Sequence, residues 1–282
     1  MAKTISLINM KGGVGKSTLA VNLAWHFAAY TAWAKTVLVV DLDPQFNASQ
    51  YMLGAKKYDS QVSSKNRPTV WDVFEQLTRT PSGGTPKKVV PAEAILNVVT
   101  YTNGARISLL ASRLELAWSL KQPAEKETLL SKFLHKVKDE FDLIIIDCAP
   151  TESLLTTAAY LASDYVLVPV KPEYLSTIGL PLLARSLKEF HEHYEDHKVE
   201  VAGVVFNHAT QYAPEETTSK REVKIEAKRL DWHLFPLEIP YSRSYPKGAR
   251  EGNPIFRTSN AQMKQKTAFW EFSKQLADRI KL

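Results

Sequence analysis

A glycine-rich segment near the N-terminus constrains this chain more than any other feature of its sequence. Residues 11–17 read Lys-Gly-Gly-Val-Gly-Lys-Ser, between an apolar run at 4–8 and a stretch from 18 onward with helical periodicity. A buried strand, a glycine-rich turn and a helix N-terminus in this order form an anion site. Backbone N–H groups point into such a turn, and the helix dipole adds positive potential. The segment therefore predicts a phosphate-binding loop in an α/β protein.

Each residue type in this segment has its own predicted role in binding phosphate or Mg²⁺. The glycines give the backbone the freedom that the turn needs and let phosphate oxygens approach closely. Lys16 is placed to reach the β- and γ-phosphates, and the Ser17 hydroxyl to ligate Mg²⁺. We therefore predict a nucleotide site with ATP and Mg²⁺ as cofactors. Its loop residues are Lys11, Gly12, Gly13, Val14, Gly15, Lys16, Ser17 and Thr18.

The loop departs from the ordinary phosphate-loop pattern at its start. The spacing G-x-x-x-x-G-K-[ST] would put a glycine where this chain has Met10, and a second lysine, Lys11, follows directly. The resulting K-G-G-x-G-K-[ST] form resembles the deviant Walker A box of the ParA/MinD/Soj ATPases. In that family the early lysine reaches across a dimer interface to the nucleotide of the partner subunit. The resemblance implies this catalytic role for Lys11 beside Lys16.

Two acidic residues follow the next predicted strand. Residues 36–40 form a β-branched run typical of a parallel strand covered on both faces, and Asp41-Leu-Asp43-Pro-Gln comes next. Carboxylates in this position lie at the crevice where doubly wound sheets bind ligands. The stretch resembles the family's V-D-x-D-P-Q box, which implies that Asp43 activates the attacking water near Mg²⁺ and that Asp41 supports the site. The alternative is that both residues only cap or turn the chain.

A later strand ends in a third acidic residue. Residues 141–147 read Phe-Asp-Leu-Ile-Ile-Ile-Asp, and four apolar residues followed by Asp are typical of a Walker B strand. Asp147 is therefore predicted to hold Mg²⁺ through a water and completes a metal site with Ser17 and Asp43. The next residue, Cys148, is the only cysteine of the chain, and we interpret it as a packed residue rather than a nucleophile.

Three further positions come from the same resemblance. The family has an acidic residue at the position of Glu173, in a segment that faces the dimer partner, although a capped loop explains this residue equally well. Asn207 ends a strongly apolar strand, and its carboxamide can both donate and accept at the edge of adenine. Pro240 begins a segment that resembles the family's "I-P … R … P-I" stretch near the adenine. Asn207 and Pro240 therefore join the predicted nucleotide site.

The order of these elements predicts the architecture. They indicate a doubly wound, mostly parallel α/β sheet with helices on both faces, the P-loop NTPase fold of the deviant Walker A type. We expect residues 1–282 to form a single ATPase domain, because this length supports a full core. Residues 52–67 are predicted to lack regular structure, and residues 92–96 to form a brief helical piece. The single cysteine and the absence of a signal peptide favour a cytoplasmic protein.

Three functions stay open within this family. The first is a ParA-like partition or positioning ATPase that forms an ATP-dependent homodimer, binds DNA non-specifically on the nucleoid, and hydrolyses ATP when a ParB-like adaptor stimulates it. The second is a MinD-like ATPase that binds membrane through its C-terminal amphipathic helix, although this helix stands where the family's own last core helix ends, which favours core packing. The third is a metabolic or metallochaperone relative or a tyrosine kinase, but the chain lacks a Cys-x-x-Cys pair and a C-terminal tyrosine cluster.

Basic residues in the C-terminal third carry the DNA prediction. The net charge of +6 is compatible with a polyanionic partner without being diagnostic of one. The charged helix predicted at 214–229 either binds DNA phosphates or is a solvated face, since Glu222 and Glu226 also lie on it. The candidate DNA-binding residues are Lys220, Arg221, Arg243, Lys247 and Arg250.

Overall fold

Eight strands form one sheet through the middle of the molecule. The computed structural model describes residues 1–30, 32–76, 88–121, 126–174, 176–210, 214–242, 244–258 and 262–282, without the side chains of Thr177 and Ser244. The strand order is β3-β4-β2-β5-β1-β6-β7-β8, and all neighbours are parallel except β3 and β4. This confirms the predicted doubly wound sheet. The strands are β1 Lys3–Leu7, β2 Val37–Leu42, β3 Ile95–Thr100, β4 Arg106–Leu110, β5 Leu143–Cys148, β6 Tyr165–Val170, β7 Glu200–Ala209 and β8 Leu234–Pro240.

Helices cover both faces of the sheet. Successive residues of a strand point to opposite faces, so Ile145 packs into one core cluster and its neighbours Ile144 and Ile146 into the other. Burial on both faces explains why the central strands are continuously apolar. The helices are α1 Lys16–Ala29, α2 Asn47–Tyr58, α3 Val70–Glu75, α4 Pro91–Ala94, α5 Leu116–Ser119, α6 Leu129–His135, α7 Leu154–Ala162, α8 Ser176–His193, α9 Pro214–Arg229, α10 Ser244–Glu251 and α11 Met263–Ile280.

The prediction that residues 52–67 lack regular structure is wrong. Helix α2 extends to Tyr58, and a π-helical turn follows at Asp59–Ser63. Burial of Tyr51, Met52 and Leu53 holds this helix against the sheet. Gly54 adopts φ 71° and ψ 155°, which interrupts the helix. The residues before and after Gly54 therefore do not share one continuous helical spacing of apolar positions. Tertiary burial therefore outweighs the polar local composition.

A second correction concerns the segment predicted as a helical piece at 92–96. Only Pro91–Ala94 is helical, and β3 begins at Ile95. Pairing with β4 selects the strand, because the run Ile-Leu-Asn-Val-Val-Thr is rich in β-branched residues that suit a half-buried sheet edge.

The C-terminal helix packs as its apolar stripe predicts. Phe269, Phe272, Leu276 and Ile280 of α11 are each at most 2% exposed, in the core cluster that also contains α1. The apolar face of α11 is therefore covered by protein. The described residues contain no helix whose length and apolar character would let it span a membrane.

A buried histidine stands among aromatic rings beside α11. The His26 ring lies 4.3 Å from Tyr30, 5.1 Å from Trp33 and 5.5 Å from Phe269, measured between centroids. Neither ring nitrogen has a hydrogen-bond partner among the residues that the structure describes. Burial lowers the pKa of His26 to about 3, so the folded protein keeps this ring neutral.

His26→Phe should make folding less sensitive to acid. The unfolded chain takes up a proton on His26 below about pH 6.5, whereas the folded chain resists it down to about pH 3, so stability falls as the pH drops through this window. At pH 4.5 this amounts to roughly 2–3 kcal/mol, which the phenylalanine variant would not lose. Urea unfolding between pH 7 and 4.5 measures the difference. The exposed His135→Gln serves as control, and an equal acid loss in His26→Phe and the parent would contradict the prediction.

Candidate nucleotide-binding site

The glycine-rich loop lies between the carboxyl end of β1 and the start of α1. Gly15 precedes α1 with φ +81°, a left-handed conformation that L side chains rarely adopt. A Cβ at this position would lie 2.5 Å from Asn207 Nδ2 and 2.9 Å from the His208 ring. The end of β7 therefore packs so closely beneath the loop that only glycine fits at position 15.

Lys16 is the buried cation of the loop. Its side chain folds back so that Nζ donates to the carbonyl oxygens of Asn9 and Lys11, at 3.1 Å each. The residue is only 7% exposed, and burial lowers the pKa of its ammonium while the nearby Asp147 opposes this shift. Two of the three N–H donors are used by the loop, so the third can bind a phosphate oxygen.

Asp41 and Asp43 follow one another at the end of β2 but have different surroundings. Asp41 is fully buried, and its Oδ2 accepts hydrogen bonds from the backbone N–H of Ser49 at 2.8 Å and from the Ser49 hydroxyl at 2.6 Å. Burial raises the pKa of Asp41 to about 7. Asp43 instead faces the cavity described below, and its Oδ1 accepts a hydrogen bond from the Gln45 N–H at 2.9 Å. Asp41 thus anchors α2, while Asp43 is open to a ligand.

Asp147 at the end of β5 is a fully buried acid. Neither carboxylate oxygen has a hydrogen-bond partner within the described part of the chain. Burial, and secondly the charge of Asp41, raise the pKa of Asp147 well above its usual value, while the Ser17 hydroxyl and the Lys16 ammonium oppose the shift. A buried carboxylate left unpaired is costly, and a hydrated cation beside Ser17 would satisfy it. The residues present therefore fit a Mg²⁺ ion.

A cavity of about 630 Å³ opens over the loop. This volume lies in the usual range for small-molecule sites. It is lined by the loop and the start of α1, and also by Gln50 and Tyr51 of α2 and Arg250 of α10. Gln50 and Tyr51 were not predicted as part of the site, and Arg250 was predicted only as a DNA contact.

The structure brings together most of the predicted nucleotide-binding residues but not all of them. The predicted residues that line the cavity are Gly12, Gly13, Gly15, Lys16, Ser17, Thr18 and Asp43. Val14 is fully buried, and Pro240 pairs with Ala209 within the sheet. Asn207 is 2% exposed, and its Nδ2 donates to the Val14 carbonyl at 2.8 Å. In this conformation the hydrogen bond of Asn207 supports the loop. Contacts of Asn207 and of Pro240 with adenine stay predictions.

Lys11 does not line the cavity. Its Nζ lies 2.7 Å from Oε1 of Glu173, just after β6, and Lys171 Nζ lies 3.0 Å from Oε2 of the same carboxylate. The hydrogen bond from Lys11 lowers the pKa of Glu173. The residue that the sequence assigns to a partner's nucleotide is therefore held by a carboxylate of its own subunit.

The candidate DNA-binding residues are dispersed. Lys220 lies between Glu216 at 2.9 Å and Glu238 at 2.7 Å, and this double ion pair disfavours it as a DNA contact. Arg221 is exposed on α9, and Lys247 lies 3.8 Å from Glu251 on α10. Arg250 lines the nucleotide cavity. Arg243 lies outside the described residues.

Comparisons with known proteins find relatives and structural neighbours of this chain. A family model described as an AAA domain matches residues 2–201. An uncharacterized protein of Methanocaldococcus jannaschii is 31% identical over 98% of this chain and 99% of its own length. The chromosome-partitioning ATPase Soj of Treponema pallidum is 30% identical over 90% of this chain and 89% of its own. An ATP complex of a McdA variant from Cyanothece shares the fold, with a TM-score of 0.76 at 19% identity over 100% of this chain and 97% of that one.

These observations define a class of protein. The deviant loop, the acids at the ends of β2 and β5, and the matches to the family model and to Soj show that the chain belongs to the ParA/MinD superfamily of ATPases. Its relatives include a chromosome-partitioning ATPase, and its structural neighbours include an ATP-bound protein.

Proposed function

We propose that this protein is a Mg²⁺-dependent partition or positioning ATPase, which dimerises on ATP, binds DNA non-specifically and hydrolyses ATP when a ParB-like adaptor stimulates it. The observation that carries the proposal is the pairing of two lysines at one loop. Lys16 is buried under the cavity, and Lys11 is at the surface beside it, 21% exposed at its side chain. The family relationship and the name of the Treponema relative support partition or positioning as the task.

The residues around the cavity account for hydrolysis. ATP would place its β- and γ-phosphates against the loop N–H groups and Lys16, where positive charge stabilises the transition state. Asp43 is the acid that faces the cavity, so it would orient the attacking water and accept its proton as the bond from the γ-phosphorus to its bridging oxygen breaks. Mg²⁺, held by Ser17 with Asp147 behind it, would supply neutralising charge for the phosphates. The products are ADP and phosphate.

Dimerisation would complete the site. Among the described residues that line the cavity, the charged ones are Lys16, Asp43 and Arg250. Lys11 of a second subunit would add a positive charge to the γ-phosphate, as the deviant loop implies. Slow basal turnover follows, because an isolated subunit lacks this charge.

Basic residues of α9 are the best DNA candidates among the residues described. Arg221, Lys224 and Lys228 are exposed on this helix, whereas Lys220 is neutralised by its two glutamates. DNA phosphates bind such residues without reading sequence. A MinD-like membrane role gains no support from α11, because its apolar stripe is buried in the core.

Asp43→Ala should bind DNA with ATP and Mg²⁺ but not with ADP. The variant would keep ATP because hydrolysis stalls, and the ATP dimer doubles the basic surface. Fluorescence anisotropy with a labelled duplex across a salt series measures this, and affinity should fall steeply as salt rises. Arg221→Ala with Lys224→Ala, in the same background, should weaken binding and reduce the salt slope. The control, Lys132→Ala on α6 with Lys136→Ala just after it, removes equal charge from exposed positions of a different helix and should change little.

The result that contradicts the DNA role is equally clear. If Asp43→Ala forms an ATP dimer but binds no DNA in either nucleotide state, the partition function on DNA is wrong. Equal losses in the α9 pair and in the control pair would show that net charge, rather than α9, determines DNA affinity.

A further inference from the structure

Glu173 occupies an unusual position between two lysines. Its Oε1 lies 2.7 Å from Lys11 Nζ, and its Oε2 lies 3.0 Å from Lys171 Nζ. The carboxylate side chain is 38% exposed, and the Lys11 and Lys171 side chains are 21% and 41% exposed. The cluster therefore carries a net positive charge at the surface beside the phosphate loop, and both lysines compete for one acid.

The backbone beneath Lys11 is fixed more firmly than its side chain. Asn9 Oδ1 accepts a hydrogen bond from the Lys11 N–H at 2.9 Å, and Asn9 Nδ2 donates to the Pro169 carbonyl at 2.8 Å. Gly179 of α8 packs against this amide, since a Cβ there would lie 3.0 Å from Asn9 Oδ1. The base of Lys11 is thus tied to β6 and α8. Only its long side chain, which ends on Glu173, is free to change direction.

We propose that Glu173 is a positioning residue that holds the Lys11 ammonium on its own subunit until an ATP-bound partner takes it over. This rests on the proposed function, because the trans contact of Lys11 is part of it. Dimerisation must break the Lys11–Glu173 ion pair, so Glu173 raises the ATP and protein concentration at which dimers form. The γ-phosphate of a partner's ATP would bring negative charge to Lys11 in place of Glu173, whereas ADP has no γ-phosphate to do so.

Lys171 sets how firmly Glu173 holds Lys11. Because it binds the other carboxylate oxygen, Lys171 spreads the negative charge of Glu173 over two cations. Removing Lys171 would leave the carboxylate to Lys11 alone and would hold Lys11 more tightly. Removing the charge of Glu173 would do the opposite. The proposal thus predicts changes of opposite sign from two neighbouring substitutions, which a purely structural ion pair does not.

The experiment measures dimerisation by sedimentation velocity with a non-hydrolysable ATP analogue and Mg²⁺. Glu173→Gln should lower the dimer dissociation constant about two- to fivefold, the size expected for a partly exposed ion pair, and Lys171→Ala should raise it. Glu189→Gln is the matched control, because Glu189 forms a 2.7 Å ion pair with Arg185 on the surface of α8. Glu173→Asp keeps the charge but shortens the reach, so it should tighten the dimer as Glu173→Gln does. The nucleotide affinity of the dilute chains should stay unchanged.

Each outcome decides between the alternatives. If the dimer of Glu173→Gln is weaker than that of the parent or equal to it, the proposal for Glu173 is overturned. The proposed function still stands in that case, provided that the parent dimerises with the ATP analogue. If Glu173→Asp dimerises like the parent, the negative charge of residue 173 rather than its grip on Lys11 sets the dimer dissociation constant, and the proposal is overturned. The same holds if dilute Glu173→Gln binds the nucleotide more tightly by the same factor as it dimerises more tightly, because repulsion between Glu173 and ATP then explains both gains. If Glu173→Gln forms dimers at a protein concentration at which the parent forms none, the proposal for Glu173 is supported. If no chain dimerises, both proposals are wrong.

Discussion

Lys16→Ala is expected to lose nearly all nucleotide binding. The ammonium is the buried cation of the cavity, and the alanine removes its contact with the phosphates and leaves the Asn9 and Lys11 carbonyls without their donor. Loss of a charge-assisted hydrogen bond of about 3 kcal/mol corresponds to a roughly 100-fold lower affinity. Titration calorimetry with ATP and Mg²⁺ measures the effect.

Two controls make the Lys16 result interpretable. The exposed Lys132→Ala on α6 should bind ATP like the parent. Circular dichroism would show whether Lys16→Ala keeps the helix content of the parent, because the loop carbonyls lose a partner. A folded Lys16→Ala with the ATP affinity of the parent would contradict the assignment of this cavity as the nucleotide site.

Lys11→Ala is expected to separate nucleotide binding from dimerisation. In the subunit, Lys11 Nζ contacts Glu173 rather than the cavity, so ATP affinity should change by less than about threefold. ATP-dependent dimerisation should be lost, because the trans charge on the γ-phosphate disappears. Sedimentation velocity with ATP and with ADP, beside calorimetry, measures both properties. A Lys11→Ala chain that dimerises with ATP like the parent would show that the deviant lysine has no role in the partner's site.

The sequence was most informative where local chemistry determines structure. The structure has the loop at 11–17 between β1 and α1 and the three acids at the carboxyl ends of β2 and β5, as the sequence predicted, because strand, glycine turn and helix follow one another within a short stretch and parallel strands bring their carboxyl ends together. The buried stripe of α11 was likewise predicted from its helical spacing.

The remainder depended on contacts between distant segments. The cavity is also lined by residues of α2 and α10, two helices that meet only in the fold, where a Cβ at Gly248 would lie 2.8 Å from the Tyr51 hydroxyl oxygen. The pairing of Lys220 with Glu238 joins α9 to β8. The family resemblance left Glu173 either facing a partner or capping a loop, and the sequence could not show that this carboxylate binds Lys11 across 162 positions of the same chain.

The most direct test of the account is the mass of the Asp43→Ala chain in solution. Sedimentation equilibrium with ATP and Mg²⁺ should give twice the subunit mass of 31.7 kDa, and with ADP the mass of one subunit. This result would establish the ATP-dependent dimer on which hydrolysis, DNA binding and release of Lys11 all depend. A chain that binds ATP by calorimetry but keeps the same mass with both nucleotides would contradict the central claim.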